Sequence, residues 1–293
     1  MIYRGIEYVV ASMGVHRLIV WIINRVPFGG VFSHRAYKYL LRTAGASAAT
    51  SYFGARFYDC ELRDLIQSRI MMFGIWEPDI SAAIEKYLDG GLFVDFGANI
   101  GYYTLFAASR KLDVVAIEAA PATFQKLSNN VSRNRAENVR LVQNAVSDKA
   151  EKLTIYGVNP FNIGAVTTVE GLGHKKITTV EAAPLDEILT EDERREVSFI
   201  KIDVEGAELP ILNRLIDTFE MYPRKLAVLV EVRPTDRAAW DDLFNRMTAE
   251  GFSAYFIHND YSVEYYLRWR KPVTPKRLDG IPEGMPDILF IRR

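Results

Sequence analysis

The segment Val94-Asp95-Phe96-Gly97-Ala98-Asn99-Ile100-Gly101-Tyr102-Tyr103-Thr104 carries more structural information than any other in the chain. An apolar run at 92–96 leads into a turn with two glycines, and an amphipathic stretch at 100–110 begins directly behind it. This is the pattern of a buried strand handing over to a helix where backbone comes close to a ligand. The spacing is G-x-x-x-G, not the G-x-G-x-x-G of a dinucleotide site, whose tighter glycine cradle serves a pyrophosphate. A nucleoside carrying an amino acid does not need that cradle. Asp95, at the strand end, can hold an ammonium group directly or through water.

Outward from this turn the same alternation repeats. Strand-like runs at 114–118, 139–143, 198–203 and 227–231 are separated by helix-like stretches at 121–135, 208–219 and 236–250. Strands alternating with helices at that spacing imply right-handed crossovers and a parallel sheet covered on both faces. About 50 residues between the third and fourth strands hold two further β-like runs, 152–156 and 176–181, and a short helix signal at 185–189. That insertion is too long for a bare loop. Behind the fifth strand and its helix, runs at 253–258 and 287–291 are joined by a Pro-rich, non-helical link, which suits two antiparallel strands. Residues 1–69 read as an aromatic-rich N-terminal helical extension broken at 27–30 and 45–50, and residues 70–293 as the main domain.

Composition narrows the function. With 36 basic and 37 acidic side chains in 293 residues the net charge is −1, so there is no basic face for a duplex backbone and nucleic acid is not the expected partner. The single cysteine, Cys60, rules out a disulfide scaffold and a multi-thiolate metal site, and a reducing cytoplasm is the simplest compartment. No stretch reaches about 18 consecutive apolar residues. The closest approach, residues 6–31, is interrupted by Glu7, His16, Arg17 and Arg25 and lacks a cleavage site, so it reads as a helix burying one face against the protein itself. The alternatives for that face are a membrane surface or a partner.

The ends of the other strands add polar groups. Glu118, closing the second strand, can accept both hydroxyls of a ribose. Asn144 and Ala145, closing the third, stand where an adenine would lie. The fourth strand runs into Asp203, Glu205 and Glu208 with Gly206 relieving the backbone. Glu208 reads as a helix-capping acid, whereas Asp203 sits at the strand tip facing the same crevice as Asp95.

These pieces, VDFGANIGYYT at 94–104, IEAAP at 117–121, NAVSD at 144–148, LDEIL at 185–189, IKIDVEGAE at 200–208 and VLVE at 228–231, resemble the FkbM-type S-adenosylmethionine-dependent methyltransferases, in the family's order. FGIWEP at 73–78 is similar to the family's lead-in. The resemblance covers about residues 70–292 and is silent on the first 65 or so. It implies an α/β class I methyltransferase fold, a Rossmann-like, mostly parallel sheet of seven strands, the last antiparallel. It also implies methyl transfer from S-adenosylmethionine, usually to a hydroxyl oxygen of a sugar, polyketide or other metabolite. By the same resemblance Asp95, Gly97, Ala98, Asn99 and Gly101 surround the methionine part of the cofactor, Glu118 takes the ribose, and Asn144 with Ala145 takes the adenine.

Methyl transfer to an alcohol needs in-line positioning and a base for the departing proton. Asp203 and Glu205 are the first candidates, and His258, behind the sixth strand, is the alternative. Asp203, Glu205, Glu208 and Glu231 form a conceivable oxygen-ligand metal set, but the reading adopted has no metal. Lys201 is expected to make a structural ion pair. Residues 156–165 suit a loop over the acceptor or a surface hairpin, and Trp76, Tyr102 and Tyr103 suit sugar stacking or, more commonly, core packing. The acceptor expected is a small molecule or glycan. Two other functions are compatible with the fold: a binding or scaffold protein on a methyltransferase-like core, and an NAD-dependent oxidoreductase, which the glycine spacing disfavours.

Overall fold

The apolar run before the glycine turn is a strand, β1 (Leu92–Phe96), buried at all five positions. A computed structural model describes residues 39, 47–159, 162–167, 175–204, 206–233 and 236–292. It places β1 inside an eight-stranded sheet with β2 (Asp113–Ile117), β3 (Val139–Val142), β4 (Val197–Ile202), β5 (Leu226–Glu231), β6 (Phe252–Ile257), β7 (Lys276–Leu278) and β8 (Asp287–Arg292). The order across the sheet is β7-β6-β8-β5-β4-β1-β2-β3. From β5 to β3 all neighbours are parallel, while β8 runs antiparallel to both β5 and β6, and β7 antiparallel to β6. The sheet is therefore mostly parallel, as expected, but it has eight strands rather than seven. The additional strand, β7, comes from the Pro-rich link, and its three residues are largely exposed. An edge strand held by backbone pairing needs no apolar alternation, so it leaves no hydrophobic signature.

Side-chain alternation divides the core between the two faces. Phe93 joins one apolar cluster, while Leu92, Val94 and Phe96 join the other. The first cluster is covered by α1 (Leu65–Phe73), α2 (Pro78–Tyr87), α3 (Tyr102–Ser109) and α4 (Pro121–Arg133), which supply Ile70, Ile84, Phe106 and Leu127. The second is covered by α5 (Glu208–Asp217) and α6 (Arg237–Ala249), which supply Leu212, Leu215, Trp240 and Leu243. α6 begins where expected because the Asp236 side chain accepts the Ala239 N–H at 3.1 Å, a cap that stabilises the helix by about 1 kcal/mol. Truncating a fully buried ring such as Phe93 to alanine costs about 3–5 kcal/mol.

One region departs from the sequence reading, and the insertion takes one of the two forms expected of it. Residues 48–58, taken there as part of a helical extension, form two short antiparallel strands, Ala48–Thr50 and Arg56–Tyr58. The reason is local: Gly54 adopts φ +92° in the turn between them, and α4 anchors the second strand, Asn134 Oδ1 accepting the Arg56 N–H at 2.8 Å and Asn130 Oδ1 the Tyr58 N–H at 3.0 Å. Phe57 is fully buried, and the 69/70 boundary falls inside α1, so this segment is part of the main core. The apolar stretch at 6–31 lies outside the described residues. In the insertion, Glu151–Asn159 pairs antiparallel with Lys175–Ala183 and with Asn162–Thr167. The segment at 156–165 is thus a hairpin, with residues 160 and 161 outside the described ones. Among the described residues no helix is long and apolar enough to cross a membrane.

Candidate active site

β1 and β4 are neighbours whose following connections diverge, to β2 and β3 on one side and to β5 on the other. In an open α/β sheet the crevice forms at the carboxyl ends of such a pair. Here the two strand ends touch. Gly97 adopts φ +69°, and a Cβ built on it would lie 1.9 Å from the carbonyl oxygen of Asp203. The contact is locked by the Asp203 N–H donating to the Phe96 carbonyl at 3.2 Å. Only glycine fits there. Asn99 follows at φ +52°, and Gly101, at φ +90°, opens α3 with its Cα packed close to Leu127.

The turn is tied to β2 as firmly as to β4. The Gly97 and Ala98 N–H groups both donate to the Ile117 carbonyl at 3.1 Å. Glu118 then grips the backbone on both sides: Oε2 accepts the Asn99 N–H at 3.0 Å and Oε1 the Ala120 N–H at 2.8 Å. Burial pushes the Glu118 carboxyl up to about 7, with the two amides pulling it back down.

Two buried oxygens on this side are left over. Asp95 Oδ2 accepts the Thr104 hydroxyl at 2.7 Å, but Asp95 Oδ1 has no hydrogen-bond partner among the described residues, and neither does Asn144 Oδ1. Burial raises the Asp95 carboxyl above the usual carboxylate range, against the pull of Lys201 and Thr104. Unmet buried acceptors are costly. One lies near the end of β1 and the other just past β3, at the same edge of the sheet, an arrangement that suits a ligand carrying hydrogen-bond donors. Ala145 is buried beside Asn144 and pairs with Ala182 of the insertion.

One strand further, the character changes. Lys201, buried on β4, makes an ion pair with Asp203 Oδ2 at 3.0 Å, lies 4.0 Å from Asp95 Oδ1 and faces the Tyr103 ring at 5.0 Å. A small cavity of ≈ 20 Å³ opens there, lined by Glu77, Asp203, Glu231, Tyr261 and Asp287. Glu77 is fully enclosed, its Oε2 accepting from Tyr103 Oη at 2.7 Å and its Oε1 from Tyr261 Oη at 2.8 Å and Asn259 Nδ2 at 2.9 Å. Asn259 Nδ2 also lies 3.0 Å from Asp287 Oδ2. Glu77, Glu231 and Asp287 are all raised, first by burial and then by neighbouring carboxylates. Trp76 stacks on Tyr261 with the rings 10° from parallel.

The structure thus brings Asp95, Gly97, Ala98, Asn99, Gly101, Glu118, Asn144 and Ala145 to one edge, and sets Asp203 beside them with its side chain 42% exposed. Lys201 makes the ion pair expected of it. Glu208 is buried in the first turn of α5 and folds back to accept the Gly206 N–H of the preceding turn, so it braces that turn, and the helix has no side-chain cap bond. Glu205 lies outside the described residues. His258 packs edge-on against Tyr265, 5.0 Å between ring centroids, and is not among the residues lining the cavity with Asp203. Tyr102, Tyr103 and Trp76 are buried and engaged internally, as core aromatics. Among the described residues no group of three His, Cys, Asp or Glu side chains could hold a metal ion. Sequence reading missed Glu77, Asn259, Tyr261 and Asp287. The signals were there in part: Glu77 precedes Pro78 in the quoted lead-in, and Asn259 follows His258 directly.

The profile of the Methyltransferase FkbM domain matches residues 95–254, more than half the chain. The 31-O-demethyl-FK506 methyltransferase FkbM of Streptomyces tacrolimicus is 29% identical over 179 residues, covering 51% of this chain and 68% of that protein. The hexuronic acid methyltransferase AglP of Haloferax volcanii is 26% identical, covering 59% and 69%. Methyltransferase 1 of Beauveria bassiana is 25% identical over 46% of this chain, which spans 62% of that relative's length. Among solved structures, a putative methyltransferase from Streptococcus mutans in complex with SAH covers 75% of this chain and 100% of its own, at 10% identity and a TM-score of 0.43.

Proposed function

The chain belongs to the FkbM methyltransferase domain family, and on that premise we propose that it moves a methyl group from S-adenosylmethionine to a hydroxyl oxygen of a sugar, glycan or small metabolite. The observation that carries the cofactor reading is the pair of buried oxygens with no hydrogen-bond partner among the described residues, Asp95 Oδ1 on β1 and Asn144 Oδ1 just past β3, at the edge of the sheet that also carries the glycine turn. S-Adenosylmethionine supplies an electrophilic methyl on a sulfonium, and has no phosphates that would require a basic cradle. Asp95 would hold its ammonium group, with Gly97, Ala98, Asn99 and Gly101 around the amino-acid part. Glu118, already oriented by two backbone amides, would accept the ribose hydroxyls, and Asn144 and Ala145 would flank the adenine.

Asp203 is the proposed base. Lys201 fixes one carboxylate oxygen, and the side chain is open enough to receive a proton from an incoming hydroxyl. Glu205 is the second candidate. The relatives' names speak of 31-O-demethyl-FK506 and a hexuronic acid, which supports a hydroxyl-bearing acceptor class. A cytoplasmic location, with contact of the N-terminal residues to a membrane surface or partner, is part of the same proposal.

Calorimetry with S-adenosylhomocysteine tests the cofactor site: saturable binding by the full chain, lost in Gly97→Asp and reduced in Glu118→Ala, is the expected result. Undisturbed binding in both variants overturns the assignment. Incubation with methyl-labelled cofactor and cell extract, followed by fractionation into glycans, lipids, small metabolites and protein, then identifies the acceptor class.

A further inference from the structure

We propose that Lys201 is a positioning residue for the cofactor, acting from the neighbouring strand to keep Asp95 available as the anion that receives the ammonium group. The inference rests on the cofactor site proposed above. Lys201 and Asp95 are register partners on β4 and β1, so alternation sends both side chains to the same face. Asp203, two residues on from Lys201, shares that face. The ammonium nitrogen is drawn to Asp203 at 3.0 Å and stands 4.0 Å from Asp95 Oδ1, beyond hydrogen-bond reach.

That placement separates two functions of a counter-ion. A lysine bonded to Asp95 Oδ1 would occupy the acceptor a ligand needs. With no cation nearby, a carboxyl this deeply buried would take up a proton and lose its charge. At 4.0 Å Lys201 supplies the field and leaves the buried oxygen's hydrogen-bonding capacity unspent, and Asp203 is the tether that keeps it there. Other groups are arranged consistently. Thr104 on α3 fixes the opposite oxygen of Asp95, and Glu118 just past β2 and Asp203 just past β4 are the carboxylates whose fields oppose its ionisation. The Tyr103 ring and the Glu77 carboxylate also favour the charged form of Lys201.

The test compares two ligands of the full chain by calorimetry: S-adenosylhomocysteine, and 5′-methylthioadenosine, which has the same nucleoside and thioether but no amino acid. Their affinity ratio isolates the amino-acid contacts, because anything acting on the ribose or the adenine cancels. Lys201→Met is expected to lower the ratio about tenfold or more near neutral pH while the nucleoside alone keeps its affinity within about twofold. In an Asp95→Asn background the same change should have no further effect on the ratio, since the carboxylate it serves is gone. Lys201→Arg, which retains the cation, should restore most of the ratio. Equal losses for both ligands, or an undiminished effect in the Asp95→Asn background, would mean a merely structural lysine and would overturn the proposal. Should Lys201→Met not fold, Asp203→Asn carries the test: released from its tether, Lys201 closes on Asp95 Oδ1 and the ratio falls, and an unchanged ratio overturns the proposal. Wild-type protein that binds neither ligand refutes the cofactor site itself, a result distinct from all of these.

Discussion

Glu118 and Glu77 are buried carboxylates on the same edge of one sheet, and they are held by different means. Both oxygens of Glu118 are met by backbone amides, of Asn99 and Ala120, whereas Glu77 is met by the side chains of Tyr103, Tyr261 and Asn259. A backbone clamp is set by the path of the chain and survives changes in neighbouring side chains. A side-chain clamp can be altered one substitution at a time. The first side also keeps unused acceptors at Asp95 and Asn144, while the acids of the second are each engaged: Asp203 with Lys201, Glu231 with Arg233, and Glu77 and Asp287 with the bridging Asn259 amide. Under the proposed function, the contrast would give a fixed half around Glu118 for the cofactor and an adjustable half around Glu77 for the acceptor.

The comparison breaks most visibly at Glu77. Glu77→Ala leaves two tyrosine hydroxyls and an asparagine amide without their acceptor and is expected to cost about 3–5 kcal/mol in urea unfolding. Binding of S-adenosylhomocysteine to the folded fraction should stay within about threefold, and a larger loss would mean the halves are not separable. Gly97→Ala should come next, at about 2–4 kcal/mol, combining a left-handed backbone with a collision against the Asp203 carbonyl. Unlike Glu77→Ala, it should damage both halves at once.

Glu118 sharpens the contrast through pH. Its folded-state carboxyl is raised to about 7, so the protonated form is favoured in the free protein below that pH. A carboxylate that accepts hydroxyl hydrogens must be ionised, and binding therefore tightens as pH rises through about 7 and weakens by up to about tenfold per unit below it. Proton release on binding, read from calorimetry in buffers of different ionisation enthalpy, checks the sign, and Glu118→Gln should abolish it. The smallest effect on stability is expected at Asn144. Its Oδ1 has no partner to lose among the described residues, so Asn144→Ala should alter unfolding by less than about 1 kcal/mol while weakening S-adenosylhomocysteine about tenfold.

How much of this could be read from the residues follows the same division. β1 and its glycine turn were legible because a central parallel strand is apolar throughout and the turn requires glycine at Gly97. Strands β2 to β6 and β8, and helices α3 to α6, appear within a residue or two of their expected limits for similar reasons of period and capping. β7 was not legible, since Lys276–Leu278 is a three-residue edge strand in which only Leu278 reaches the core. Nor were the strands at 48–58, where small residues obscure the pattern and α4 supplies the hydrogen bonds. The cofactor half was visible because its groups cluster at consecutive strand ends. The Glu77 cluster was not, because Glu77, Asn259 and Asp287 come from segments far apart in sequence and meet only through the order of the strands.

That order has a consequence for how the protein is made. β8 separates β5 from β6, yet it follows both in the chain. As the polypeptide leaves the ribosome, β5 and β6 emerge before the strand each must pair with, and about 30 residues have still to be added, a few seconds of synthesis at about 5–20 residues per second. During that interval Val228, Val230 and Ala254 have no completed sheet around them, and two strand edges stand open to mispairing. The finishing step of assembly is thus an insertion into the middle of the sheet, not an addition to its rim, and a nascent chain stalled before Asp287 is the species a chaperone would be expected to hold.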